Sequence, residues 1–247
     1  MNGDNFSNRI KELSKRSNIR GIYTYSDFLS PSEQAEVESL CRGEHFEFFG
    51  GAEFAERKIV RFGDPNEIVY EEDLPICVIE ITVTNAKFTS PLTHRDYLGA
   101  ILNLGIERDK LGDIFISSDY AYVVADKNIA EFLIDNLERV GHSPVKTSIA
   151  LSIPNSLAPK IEEKDVVVQT NRVDAIISRV YNLSREIGSG LIADGRVSIC
   201  GAVCSNSSKE LKDGDVVSVR GFGKFVFLGE GGTSKKGKTY AHVGIYK

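Results

Sequence analysis

The chain has 247 residues, of which 41% are hydrophobic and 26% charged; 30 Lys and Arg stand against 35 Asp and Glu, a net charge of −5. This composition is typical of a globular protein of two or three domains and excludes a disordered or fibrous chain. The apolar runs are far shorter than the about 20 residues of a membrane-spanning helix, and the polar first residues lack a signal-peptide core. A membrane protein is therefore excluded and a cytoplasmic protein expected, and the acidic balance argues against nucleic acid as a partner.

The charge is unevenly distributed along the chain. Residues 165–247 contain 12 Lys and Arg and 8 Asp and Glu, a net charge of +4, whereas residues 1–164 have a net charge of −9. This asymmetry favours a basic module attached to acidic ones. The alternative is a chance excess of cations on one solvated face.

Residues 1–74 are predicted to form an N-terminal α/β domain. Apolar side chains among the first 20 residues have helical spacing, and Ser30-Pro31 is typical of the start of a second helix. Two strands bounded by glycines are expected, at 46–51 and 57–62.

Residues 75–160 are predicted to form a second domain with the element order β-α-β-β-α-β. Thr93 is expected to cap the first helix together with Asp96, and the second amphipathic helix is expected to end at Gly141. The expected strands are 76–83, 114–116, 120–125 and 145–153. RNA-recognition motifs have this order, but so do many unrelated domains, so the order alone does not indicate RNA binding.

A linker is expected at 155–164, followed by a third domain at 165–247. An apolar stripe from Val173 to Tyr181 predicts its first helix, with Asn171 and Asp174 as a capping box, and Ser184 is expected to begin a second helix. The expected strands are 166–168, 197–200, 216–220 and 225–228. With the two preceding domains, this gives an α+β fold.

Short motifs that would indicate catalysis or a cofactor lack their structural context. Gly232 to Thr239 matches the phosphate-binding P-loop literally, but that loop needs a helix after it, and the remaining residues alternate apolar and polar. We therefore interpret the match as a coincidence within a flexible basic tail. Cys200, Cys204 and His242 fall short of the four ligands of a structural zinc site, and the histidines form no triad with Ser, Cys or Asp. We expect no metal, no cofactor and no catalytic residue.

His94-Arg95-Asp96 resembles the start of a kinase catalytic loop, but Ile101 stands where that loop needs Asn. His94 and Arg95 are expected in the exposed first turn of a helix. One interpretation is an ordinary solvated face. The other is a secondary patch that anchors RNA phosphate or a protein partner.

The segment from residue 172 to residue 220 contains the strongest signal of function. Arg172 and Arg185 begin the two predicted helices, and in a helical hairpin both guanidiniums can reach one surface and bind phosphates. Ser184 would cap the second helix and leave N–H groups available to phosphate. Gly195 permits a tight turn, and Gly214-Asp215 a hairpin.

This pattern resembles the RNA-binding domain named for ribosomal small-subunit protein four, here the S-four domain. The resemblance extends to the YlmH-type family of bacterial S-four proteins. The matching segments are Ala55 to Lys58, Leu92 to Ala100, Leu104 to Ile106, Gly112 to Ile114, Arg220 to Phe225 and the Thr-Ser-Lys-Lys-Gly-Lys tail. The family implies an N-terminal α/β domain, an RNA-recognition-motif-like middle domain and a C-terminal S-four domain.

The resemblance implies a non-enzymatic protein that binds ribosomal RNA and peptidyl-tRNA on stalled large ribosomal subunits in translation quality control. The residues expected to contact RNA are Arg172, Ser184, Arg185 and Arg220, with electrostatic support from Lys224, Lys235, Lys236 and Lys238. One alternative is an RNA-modifying enzyme that carries an S-four module. The other is an adaptor linked to cell division, which would recruit a protein partner through residues 1–164.

The sequence departs from the family at the proposed RNA surface and at the middle domain. Cys200 replaces the usual strand-end Asn, and Gly188, Gly190 and Glu186 stand in the second helix, where glycine costs about 1 kcal/mol relative to alanine. These residues predict a weaker RNA surface or one that orders on binding. In the middle domain, 76–83 carries no aromatic residue for base stacking, so we expect a scaffold or docking role there.

Overall fold

A computed structural model describes residues 3–70, 72–84, 91–233 and 239–247. The chain is a mixed α+β protein, and the sheets of its described residues are antiparallel. Two compact units are present, Met1–Ser30 with Glu36–Ala158 and Pro31–Ala35 with Pro159–Lys247. Within the described part of the chain, no helix is long and apolar enough to cross a membrane.

The first 62 residues form a small sheet with two helices. The elements are α1 Gly3–Arg20, β1 Thr24–Tyr25, α2 Pro31–Leu40, β2 Phe46–Phe49 and β3 Ile59–Phe62. The sheet order is β1-β3-β2. Ile10 and Leu13 of α1 lie three residues apart and therefore share one helix face, which packs with Val37 and Phe62 in a common core.

Residues 76–150 form a five-stranded sheet with the order β5-β6-β4-β8-β7. The elements are β4 Ile76–Val83, α3 His94–Leu102, β5 Leu111–Ile116, β6 Tyr120–Asp126, α4 Lys127–Asn136, β7 Arg139–Val140 and β8 Ser143–Ala150. The predicted order β-α-β-β-α-β is observed, with β7 in addition. Ile79 and Ile81 alternate along β4 onto the face where Tyr97 of α3 and Leu133 of α4 are buried.

The prediction that the second helix of this segment extends to Gly141 is wrong. Helix α4 ends at Asn136, and β7 and β8 form a hairpin in which Val140 pairs with Ser143. Leu137 and Val140 remain fully or almost fully buried in the same core. The spacing of these apolar residues therefore predicted their burial correctly. It could not show whether they lie in a helix or in a hairpin.

The C-terminal segment forms a six-stranded sheet with the order β11-β10-β12-β13-β14-β9. The elements are β9 Ile161–Val168, α5 Val173–Val180, α6 Arg185–Ala193, β10 Val197–Ile199, β11 Ala202–Val203, β12 Val216–Val219, β13 Gly223–Thr233 and β14 Thr239–Tyr246. Ile176 of α5 and Ile192 of α6 are buried in one core with Phe225 and Val243 of the sheet. Both helices therefore contribute to a core with one face of the sheet.

Two predictions for this segment need correction. The expected linker is shorter than 155–164, because β9 already begins at Ile161 and pairs along its full length with β14. The sequence did not predict the first half of this strand, because residues 162–165 are all charged and lie exposed at the sheet edge. The expected flexible tail is wrong for 239–246, since these residues are β14. The P-loop match is followed by a strand, whereas a phosphate-binding P-loop is followed by a helix. This agrees with our interpretation of the match as a coincidence.

Candidate nucleic-acid interface

A buried carboxylate organises the two predicted arginines. Asp174 has a side chain only 3% exposed, and it accepts hydrogen bonds from Nε of Arg172 at 3.0 Å and from Nη2 of Arg172 at 2.8 Å. Nε of Arg185 lies 3.9 Å from the same carboxylate. The side chains of Arg172 and Arg185 remain 33% and 56% exposed. Two guanidiniums therefore share one surface, and most of their N–H donors remain available.

The expected capping box at the start of α5 is not formed. Arg172 is the N-cap residue, and the carboxylate of Asp174 accepts from the N–H of Ala175 at 2.8 Å as well as from Arg172. Asn171 instead donates from its amide to Glu230. The sequence pattern singled out Asp174 as part of a capping box. In the structure Asp174 instead positions Arg172 and Arg185.

The start of α6 is fixed as the sequence predicts. Ser184 is the N-cap, and its Oγ accepts from the N–H of Ile187 at 3.2 Å. Ser178 of α5 donates to the carbonyl of Asp174 at 2.7 Å, and a Cβ on Gly188 would lie only 2.4 Å from its Oγ. Gly188 therefore permits the close approach of α5 and α6 that brings Arg185 toward Asp174.

A groove of about 220 Å³ lies next to the arginine pair. It is lined by Val167, Val168, Gln169, Ala175, Ser178, Arg179, Leu183 and Arg185. Arg179 is exposed and adds a third guanidinium to this side of the domain. Sequence reasoning missed Arg179, although its distance of seven residues from Arg172, about two helical turns, was a usable signal.

Arg220 lies at the other end of α5. Phe222, two residues after Arg220, packs against Tyr181 with 5.6 Å between ring centroids, and Tyr181 is the C-cap of α5. Since α5 has 8 residues, its ends are about 12 Å apart. Nη2 of Arg196 donates to the carbonyl of Arg220 at 2.8 Å, so the structure adds a second cation there that the sequence did not indicate.

Of the predicted lysines, only Lys224 lies among the described residues, and it does not join the arginine pair. Lys224 alternates with buried Phe225 on β13 and therefore points away from the helices, with its Nζ 4.4 Å from the ring centroid of Tyr246. Lys235, Lys236 and Lys238 lie outside the described residues.

The two residues of the secondary patch, His94 and Arg95, are exposed in the first turn of α3. Asp96 accepts from the backbone N–H of Thr93 at 2.7 Å, as the capping prediction required. A hydrogen bond from the Thr93 hydroxyl lowers the pKa of Asp96 most, followed by this backbone hydrogen bond, with a smaller contribution from the charge of Arg95. The carboxylate is therefore directed to the helix start.

Most of the outer face of the middle sheet, where an RNA-recognition motif would stack bases, is covered. Val78 of β4 and Tyr122 and Val124 of β6 are buried in one cluster with Phe28 and Ile59 from the first 62 residues. The hydroxyl of Tyr122 donates to Glu80 at 3.0 Å. Phe115 packs edge-on against Phe54, with 5.1 Å between ring centroids. The aromatic rings of Tyr122 and Phe115 are therefore engaged in intramolecular packing.

The side chains that could have formed a metal site have other partners. His242 lies between two carboxylates, with Nδ1 2.8 Å from Asp165 and Nε2 3.1 Å from Glu163. Cys204 is buried and Cys200 is exposed in a turn. Among the residues that the structure describes, no group of three His, Cys, Asp or Glu side chains could hold a metal ion.

The chain is similar to known bacterial proteins in sequence and in fold. Residues 70–151 match a family model described as "Putative RNA-binding domain in YlmH". The chain is 32% identical to the ribosome-associated protein quality control protein P2 of Bacillus subtilis (strain 168), over 86% of this chain and 83% of that protein. A solved structure named cell division protein ylmH from Streptococcus pneumoniae matches with a TM-score of 0.50 and 19% identity, over 60% of this chain and 90% of that chain. This last similarity concerns the fold alone.

Proposed function

The chain belongs to the YlmH family of RNA-binding proteins, and on that premise we propose that it binds RNA of the large ribosomal subunit, ribosomal RNA or peptidyl-tRNA, in quality control of stalled translation. The name of the Bacillus subtilis relative supports a ribosome-associated role. The ribosome as partner would place its action in the cytoplasm.

The observation that carries the proposal is the convergence of Arg172 and Arg185 on Asp174. The buried carboxylate of Asp174 holds the guanidinium of Arg172 in bidentate fashion and so restricts the conformations of the arginine side chain. Less conformational entropy is therefore lost when phosphate binds. Arg179 extends the cationic surface along the adjacent groove. Such phosphate contacts position a protein on RNA, and shape rather than sequence would select the site.

We propose that this surface belongs to an S-four module formed by β9 to β14 with α5 and α6, and that the module is a binder and not an enzyme. The arginines and the Ser-capped helix start offer hydrogen-bond donors that suit phosphate. Such groups support binding and do not by themselves indicate catalysis. Methyl-transfer and pseudouridine assays on ribosomal RNA test this directly. Modification that depends on this protein would overturn the non-enzymatic assignment.

The decisive experiment compares the full-length protein with the variant Arg172→Ala/Arg185→Ala. We expect binding to purified large subunits and to the RNA extracted from them to weaken by at least about 100-fold, because two charge-assisted hydrogen bonds of about 1.5–3 kcal/mol each are lost. The dependence of log affinity on log salt concentration should become shallower by about two. Co-sedimentation with ribosomes should be lost in parallel.

Lys224→Ala is the matched control, because it removes one cation from the same domain on the opposite face of the sheet. We expect it to change affinity far less than Arg185→Ala alone. Unchanged RNA binding by the double arginine variant would overturn the site. Ribosome association that survives RNase and high salt would favour the adaptor function instead.

A further inference from the structure

An exposed phenylalanine lies in the turn between β12 and β13. The N–H of Phe222 donates to the carbonyl of Val219 at 2.9 Å, which closes a tight turn. Gly221 has φ of +89°, a left-handed value that favours glycine at the third position of such a turn. The side chain of Phe222 is 41% exposed, so a large part of its ring remains in solvent.

The ring of Phe222 has a rigid support. It packs against Tyr181, and Tyr181 packs in turn against buried Phe225, with 6.1 Å between ring centroids. The buried hydroxyl of Tyr181 has no hydrogen-bond partner in the part of the chain that the structure describes, and a Cβ on Gly223 would lie 3.7 Å from it. Unsatisfied groups of this kind are uncommon in folded proteins and concentrate at functional sites. The turn therefore holds the ring of Phe222 in a defined position before any ligand binds.

Two arginines belong to the same turn. The side chain of Arg220 is exposed and forms no ion pair with another described residue. Arg196 fixes the turn from β10, because its Nη2 donates to the carbonyl of Arg220 while the N–H of Arg220 donates to the carbonyl of Arg196 at 2.9 Å. Residues 216–229 contain no Asp or Glu, although Asp194, two residues before Arg196, offsets one of the two charges. The ring of Phe222 thus lies in cationic surroundings.

We propose that Phe222 is a stacking platform for one unpaired base of the bound RNA, with Arg220 and Arg196 beside it for the phosphates of the same strand. Proteins bind single-stranded RNA by this combination of an aromatic ring and nearby cations, and any of the four bases provides a face to stack. Cations without carboxylates next to them suit a polyanion better than an apolar protein surface.

The inference rests on the proposed function and adds a selective element to it. Arg172 and Arg185 would bind the phosphates of paired and unpaired RNA alike, whereas Phe222 needs a base that is not stacked within a helix. Because the two ends of α5 are about 12 Å apart, one RNA would meet both sites, and the second site would favour a bulge or a loop.

The test uses the full-length protein and two RNA hairpins, one with a single bulged adenosine and one with an abasic site at the same bulge. We expect Phe222→Leu to bind the bulged hairpin about 10-fold more weakly than wild type, because one stacked base is lost. Its salt dependence should not change, since no charge is removed. Phe222→Tyr keeps the ring and should bind as wild type. On the abasic hairpin, wild type and Phe222→Leu should bind equally.

The matched control is Phe132→Leu, which removes another exposed ring, 47% exposed on α4, and should leave both affinities unchanged. Unfolding curves establish that Phe222→Leu is folded. The two hairpins also test the platform with wild-type protein alone, independently of any variant. Equal affinity of the wild type for both would overturn the proposal, as would an equal loss by Phe222→Leu on both.

Three further outcomes separate this inference from the proposed function. If Arg172→Ala/Arg185→Ala weakens binding to RNA from large subunits but Phe222→Leu binds it and the bulged hairpin as wild type, the platform is wrong and the function stands. If neither variant binds more weakly, both proposals fall. If Phe222→Leu loses ribosome association but binds both hairpins as wild type, the ring contacts a ribosomal protein, and base stacking is wrong.

Discussion

Two segments of the chain have element orders found in RNA-binding domains, and they differ in what happens to the surface expected to meet RNA. In the middle segment, Tyr122 and Val124 of the central strand β6 are buried under Phe28 and Ile59. In the C-terminal segment, Arg172 and Arg185 stay in solvent while the carboxylate that orients them is buried. The first surface is largely buried in a core, whereas the second keeps two guanidiniums exposed, and we propose that it binds phosphate.

The difference teaches that element order alone does not identify the RNA-binding surface. An aromatic ring on a central strand serves base stacking only if nothing else covers it. A cation serves phosphate binding only if no internal carboxylate neutralises it fully. Both conditions depend on residues distant in sequence, which is why the arrangement of contacts, and not the order of strands, separates the two segments.

Phe28→Ala should have the largest effect on the difference between the two segments, because it removes a ring that covers one face of the middle sheet. Phe28 is 2% exposed, and we expect the loss of its ring to lower the free energy of unfolding by about 3–5 kcal/mol. RNA affinity of the folded protein should not change. Denaturant unfolding and an RNA-binding titration measure both, with Phe132→Ala on the solvent side of α4 as the mild control. A gain in RNA affinity would show that the covered face binds RNA when released.

The positioning role of Asp174 is tested by Asp174→Asn. This change keeps the side-chain volume but removes the buried charge that faces two guanidiniums, so we expect a loss of about 2 kcal/mol in unfolding free energy. RNA affinity should fall although the protein becomes more positive, because Arg172 loses its bidentate partner. Tighter RNA binding by the variant would mean that net charge matters more than placement.

The contact between α5 and α6 can be tested with a double-mutant cycle. Gly188→Ala places a methyl group 2.4 Å from Oγ of Ser178, and overpacking of this kind costs about 1–3 kcal/mol. Ser178→Ala removes that oxygen, so the double variant should recover part of the loss, which the coupling energy measures. Gly190→Ala is the control, because nothing lies within 4 Å of its Cβ position, and we expect a gain of about 1 kcal/mol. Additive effects of the two substitutions would contradict a direct contact.

Local sequence signals predicted much of this architecture. Thr93 with Asp96 and Ser184 with the N–H of Ile187 cap helices as expected, because capping involves residues within one turn of each other. The alternation of apolar residues in β4 placed that strand correctly. For the candidate site, the sequence identified the arginine pair and its helices.

The parts that the sequence did not predict depend on distant partners. Val78 and Tyr122 lie on a face that would be open in an isolated domain, and the packing of Phe28 and Ile59, distant in sequence, covers it. Strand β9 begins earlier than expected because its polar residues find backbone partners on β14, about 80 positions later. Arg196 meets Arg220 through a side chain to backbone contact that has no local pattern.

The β10–β11 turn offers a smaller test within the C-terminal segment. Cys200 has φ of +47° and Gly201 φ of +82°, and such a two-residue hairpin turn favours Asn-Gly. Asn tolerates the left-handed conformation better than Cys, so Cys200→Asn should raise the free energy of unfolding by about 1 kcal/mol. Ser198→Asn on the neighbouring strand should not stabilise the protein. A destabilised Cys200→Asn would show that the contact of Sγ with Asp215 at 3.6 Å outweighs the backbone preference.

The smallest expected effect concerns His242, on the sheet face that carries Lys224 rather than the arginine pair. Its hydrogen bond to Asp165, aided by Glu163, raises the pKa of His242 above its ordinary value. The folded state therefore holds the proton more tightly than the unfolded chain, whose His pKa is about 6.5. This contribution to stability is fully present below about pH 6.5 and is lost as pH rises through the folded-state pKa. Unfolding curves of wild type and His242→Gln between about pH 5.5 and 8.5 should converge at the upper end, and RNA affinity should show no His242-dependent change. A constant stability difference across this range would show that the ion pairs of His242 do not contribute.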